Sequence, residues 1–103
     1  MDKIAMLTEI LKQHPTDAFT RYGLAMAYAA EEHHDQALAE YGTIIQQTPD
    51  YVPAYQMSAQ LLLKLARPKE ARVRLREGLA AAQRTGNVHA QSEMGAMLDD
   101  LGA

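Results

Sequence analysis

Residues 18–51, AFTRYGLAMAYAAEEHHDQALAEYGTIIQQTPDY, hold two stretches of helical length parted by a polar run at Glu31-Glu32-His33-His34-Asp35 and closed by Thr48-Pro49-Asp50. A connection this short joins two helices only as an antiparallel hairpin. Ala25 in the first stretch and Ala37 in the second are small where the helices of such a hairpin approach closely, and Tyr28 and Tyr41 fill the wider spaces on either side.

The pattern recurs along the chain. A shift of 34 residues pairs Pro15 with Pro49, Ala25 with Ala59, Tyr28 with Leu62, Ala37 with Ala71, Tyr41 with Leu75 and Ile45 with Leu79. With Leu24-Ala25 in the place of a Leu-Gly pair, then Tyr28, Ala37, Tyr41 and a closing Pro49, residues 18–51 resemble the tetratricopeptide repeat family. The second unit keeps Tyr55, Ala59, Leu62, Ala71 and Leu75, but has Ser58 where the Leu would stand and Gln83 where the Pro would. Met94-Gly95, Leu98 and Gly102 restart the pattern, while Leu7, Leu11 and Pro15 match the second helix of a unit. The expected organisation of the single domain 1–103 is a half repeat over 1–17, whole repeats over 18–51 and 52–87, and a half repeat over 88–103. The resemblance implies an all-α fold, a right-handed α-solenoid of antiparallel hairpins with a concave side.

Punctuation supports this division. Breaks at His14-Pro15, His33-His34, Thr48-Pro49, Arg67-Pro68 and Thr85-Gly86-Asn87 predict six helices near 2–13, 17–32, 35–47, 51–66, 68–84 and 87–101. Thr16 or Asp17, Asp50 and Asn87 are candidate N-caps, because their side-chain oxygens accept from free N–H groups of the first turn. Pro53 and Pro68 suit first turns, and Gly86 suits a left-handed stop. Met94 replaces a core Leu and is expected to be buried, as are Leu24, Tyr28 and Leu62.

Composition narrows the function. Of 103 residues, 48% are apolar and 22% charged, enough to bury one helical core. There is no Cys, so disulfides, thiolate metal sites and Cys nucleophiles are excluded. The start lacks the pattern of a secretory signal and no apolar run is long enough to span a bilayer, so a cytoplasmic location without membrane attachment is expected. His14, His33, His34 and His89 lack metal-ligand spacing, no Ser or Thr stands beside a partner base, and no Gly-rich phosphate loop exists. No enzyme activity, metal or cofactor is expected.

Charge is uneven under the net value of -3: residues 1–50 carry three basic and eight acidic side chains, residues 64–84 seven basic and two acidic. The basic belt of Lys64, Arg67, Lys69, Arg72, Arg74, Arg76 and Arg84 lacks interleaved aromatics, so nucleic acid is not the expected partner. It reads as an exposed helix back with a Glu70 to Arg74 pair, or as a face for an acidic protein surface.

The resemblance implies that a partner peptide or helix lies against the first helix of each hairpin. By register that lining is Phe19, Tyr22, Met26, Gln56, Met57, Gln60, Leu63 and Lys64, with Phe19, Tyr22, Met26 and Met57 partly exposed. One subclass of the family clamps the terminal carboxylate of chaperones with Lys, Arg and Asn. Tyr22, Met26 and Met57 stand at such places here, which favours an apolar or amphipathic segment. The implied role is a protein-binding adaptor or scaffold. The alternative is a self-assembling structural subunit, a homo-oligomer joined through its open half-repeat ends.

Overall fold

The computed structural model describes residues 2–102 and contains six helices among them, with no strand. They are α1 (Lys3–Gln13), α2 (Ala18–Ala30), α3 (His34–Gln47), α4 (Val52–Lys64), α5 (Pro68–Thr85) and α6 (Val88–Asp100). Each predicted helix is present, with ends within two residues of expectation. The chain forms two compact units that divide between Thr48 and Pro49, the first holding α1 to α3 and the second α4 to α6.

Side-chain caps account for three of the six helix starts. The Asp2 carboxylate accepts from the Ala5 amide, Asp17 from the Thr20 amide and hydroxyl, and Asn87 from the Ala90 amide. Pro68 opens α5 and Pro53 lies in the first turn of α4. Asp50 is not the cap of α4: Tyr51 holds that place without a side-chain bond, and the Asp50 carboxylate accepts from Arg84 at 2.9 Å instead. Asp50 lies one residue before the cap position, which leaves its carboxylate to the guanidinium.

Three helix ends close alike. The amides of His33, Arg67 and Asn87 reach back to the carbonyls of Tyr28, Leu62 and Ala82, around left-handed residues Glu32 (φ 61), Ala66 (φ 59) and Gly86 (φ 69). Only Gly86 takes that backbone without strain; Glu32 and Ala66, 34 residues apart, are held there by the turn.

In the first unit α2 packs on both α1 and α3. Leu11, Leu24, Ala25, Ala27, Ala37, Tyr41 and Ile44 are buried there. Leu7 of α1 lies against Gly23 of α2, 3.7 Å from where a Cβ would stand. Tyr28 is only half-buried, with its ring centroid 6.1 Å from that of His33, so it shields the hairpin turn rather than filling the core.

The second unit has α5 between α4 and α6. Tyr55, Ser58, Ala59, Leu61, Leu62, Ala71, Leu75, Ala81, Ala82 and Met94 are buried, Ser58 taking the place that Leu24 holds in the first. The tightest approach is at Gly78. A Cβ there would stand 2.6 Å from the Met94 sulfur and 2.7 Å from the Tyr55 Cβ, so α4, α5 and α6 meet over a residue that has no side chain.

Candidate partner-binding surface

Phe19, Tyr22 and Met26 follow one another at steps of three and four residues along α2, which puts them on one face of the helix. Phe19 is 77% exposed and Met26 43% exposed, while Leu24 and Ala25 are buried on another face. Tyr22 is half-buried, its ring centroid 6.0 Å from that of Tyr41 at an interplanar angle of 58°. The middle of the strip is therefore pinned to the core of its own hairpin and the two ends project. Burial, with Tyr22 as a second cause, pushes the Tyr41 phenol up to about 12.

On α4, Gln56, Gln60 and Leu63 form a line with the same helical steps, and Met57 and Lys64 lie one step round. Gln56, Met57 and Leu63 are half-buried, and Gln60 and Lys64 are exposed. The residues read from the sequence thus resolve into an apolar strip on α2 in the first unit and a mainly amide strip on α4 in the second.

What seats these helices was not read from the sequence. The Arg21 guanidinium donates to the Pro15 carbonyl at 3.0 Å and pairs with Glu40 of α3, both side chains being largely buried. Thirty-four residues later the Tyr55 hydroxyl donates to the Pro49 carbonyl at 2.6 Å. The same tether is made by a cation in one unit and a phenol in the other. The signal lay in the 34-residue shift that aligns Arg21 with Tyr55 and Pro15 with Pro49.

Among the described residues, three of the seven cations of the basic belt are ion-paired. Glu70 does not pair with Arg74: Arg67 grips it with two bonds of 3.0 and 2.6 Å, which holds its carboxyl below the usual range. Arg74 turns to Glu77 at 3.0 Å instead. Arg67 precedes α5 and sets both nitrogens of its fork on one carboxylate, a geometry that a cation further along the helix does not match. Arg84 pairs with Asp50, and that bond raises its affinity for its proton. His89 lies 2.8 Å from Glu93. Among the described residues no three His, Asp or Glu side chains converge as a metal site, and no helix is long and apolar enough to cross a membrane.

A family model described as tetratricopeptide repeat matches residues 4–57 and 29–91. The solution structure of a tetratricopeptide repeat domain protein from Salinibacter ruber is 29% identical, with 84% of this chain and 88% of that one covered at a TM-score of 0.80. A Bordetella parapertussis protein is 26% identical over 99% of this chain and 89% of its own, at 0.81. The TPR2B domain of yeast Sti1, solved in complex with pHsp70, superposes at 0.86 over 96% of this chain and 79% of its own, with 21% identity. No match was found among curated proteins.

Proposed function

The chain belongs to the tetratricopeptide repeat family, and from that premise we propose that it is an adaptor whose exposed first-helix faces, that of α2 in the first unit and that of α4 in the second, each offer a surface to an apolar or amphipathic segment of another protein. Domains of this family are typically non-enzymatic interaction modules. The observation that carries the reading is Phe19: a large aromatic side chain, 77% exposed, in line with the exposed Met26 on a helix whose other face is packed. Leaving that surface in water forgoes about 1.5–3 kcal/mol of burial for each such side chain, which a bound segment recovers. On α4, Gln56, Gln60 and Lys64 supply donors and acceptors for backbone or acidic groups, and Met57 and Leu63 supply apolar contact. The reading keeps 18–51 and 52–87 as whole repeats, with 1–17 and 88–103 as halves.

The yeast domain was solved with pHsp70. At 21% identity that likeness supports the fold alone. The apolar strip on α2 argues for an apolar or amphipathic segment here.

Affinity capture from the native host tests the proposal. The wild type should retain a protein that Phe19→Ser/Met26→Ser loses, with the helical circular-dichroism signal unchanged. Equal capture by both would refute the strip. Tyr22 is a poorer probe, because its ring also packs on Tyr41.

A second reading, self-assembly through the half-repeat ends, is favoured by Gly95. Its counterparts Ala25 and Ala59 are fully buried, whereas a Cβ at Gly95 would meet nothing within 4 Å. At the other end, Met6 on α1 is 47% exposed.

A further inference from the structure

The cations of residues 64–84 fall into two sets. Arg67, Arg74 and Arg84 are paired with Glu70, Glu77 and Asp50, and Arg72 donates to the Leu101 carbonyl at 2.8 Å. Lys64 at the end of α4 and Lys69 and Arg76 on α5, all exposed, make no ion pair among the described residues. Lys69 and Arg76 share one face of α5. They stand seven residues apart on α5, about 10 Å along the axis. Between them Val73 is 53% exposed, and exposed Ala80 continues the same face. The outer face of α5 is therefore a line of cation, apolar residue, cation and small residue at steps of four, three and four.

The start of the chain carries the opposite charges at the same steps. Asp2, Met6, Glu9 and Gln13 are all exposed and lie along one face of α1 and its cap. Asp2 uses Oδ1 to cap the Ala5 amide at 2.9 Å, and Glu9 uses Oε1 in an ion pair with Lys12 at 2.8 Å. A second oxygen of each carboxylate is left for a further donor.

We infer that α1 of one copy docks on the outer face of α5 of a second copy, with Asp2 and Glu9 against Lys69 and Arg76 and Met6 over Val73. The inference rests on the self-assembly reading, takes α1 as the assembling end, and adds the surface that receives it. A stable interface buries about 800 Å² per partner. Two turns of helix offer less, so the contact is weak and depends on its charges, whose attraction is screened beyond about 10 Å at 0.1 M salt.

Sedimentation equilibrium of the 103-residue chain tests this with two variants. Lys69→Glu/Arg76→Glu makes the α5 face acidic. Asp2→Asn/Glu9→Lys makes the α1 face basic while Asn keeps the helix cap. At low salt the wild type should rise above monomer mass with concentration and return to monomer near 1 M salt. Each variant alone should associate at least about tenfold more weakly, and an equimolar mixture of the two should recover association, since each supplies the other's complement. A wild type that stays monomeric at every concentration overturns both this inference and the self-assembly reading. Association that neither variant weakens, or that mixing fails to restore, overturns the α1 to α5 contact and leaves assembly through another end standing.

Discussion

Arg21 and Tyr55 occupy the same place in successive repeats, and each ties its helix to the carbonyl of a proline six residues earlier. The first unit does this with a cation, which then needs Glu40 of α3 as a counter-charge. The second does it with a phenol, and Arg84 adds a longer bond of 3.3 Å to the same Pro49 carbonyl. A parallel contrast runs through the cores, where Ile44 is buried in one unit and its counterpart is Gly78 in the other. The repeat preserves the contact to be made and leaves open the residue that makes it. The exposed faces differ in the same sense: Tyr22 and Met26 on α2 become Gln56 and Gln60 on α4.

Exchanging the two core solutions should break both units. Ile44→Gly removes a buried side chain and weakens helix α3, an expected loss of about 3–5 kcal/mol. Gly78→Ile drives a branched side chain into Met94 and Tyr55, at a cost of about 3 kcal/mol or more. Urea denaturation measures both. A loss below about 1 kcal/mol in either would mean that the two positions are interchangeable.

A pH titration sharpens the same contrast, because Tyr41 has Leu75 as its counterpart. The Tyr41 phenol ionises near its ordinary value of 10.0 in the unfolded chain and only at about 12 in the fold. The unfolded state therefore releases its proton first as pH rises. The stabilisation is complete below pH 10 and is lost between there and about 12, up to about 3 kcal/mol. Stability of the wild type should fall over that range and fall less steeply in Tyr41→Phe. Identical slopes would contradict the assignment.

At the tether, Tyr55→Phe deletes one hydrogen bond and should cost about 1 kcal/mol, with Arg84 still on the Pro49 carbonyl. No loss would show that the bond to Pro49 is dispensable in the second unit. Ala66→Gly should act in the opposite direction, gaining about 0.5–1 kcal/mol by relieving a left-handed alanine. Thermal melting resolves both, and a destabilised Ala66→Gly would mean that the turn carries no strain.

The residues that were legible in the sequence are those whose role depends on spacing. Apolar and small residues at helical steps marked the six helices and the 34-residue repeat, and Ala25, Ala37, Ala59 and Ala71 are fully buried as their register requires. Phe19 and Met26 were legible for the same reason, since their register takes them off the core face. Choices among chemically similar partners were not legible. Glu70 had cations both three residues before it and four after it, and only the fork geometry of Arg67 decides between them. Asp50 had a helix to cap and found Arg84, 34 residues away in sequence, instead. Glu32 and Ala66 carry no glycine signal, because the hairpin turn imposes their backbone from outside. Gly78 carries no signal of its own in the sequence, and only the close approach of Met94 and Tyr55 gives its missing side chain a reason.

The methionines report separately on the surfaces and the core. Met6 marks the outer face of α1, Met26 the apolar strip of α2, Met57 the α4 side and Met94 the core of the second unit. Methyl NMR of these groups during titration with the captured partner reports which surface the partner covers. The change should be large at Met26, smaller at Met57 and absent at Met94. A partner that binds while Met26 stays unmoved would contradict the assignment of α2 as the binding face.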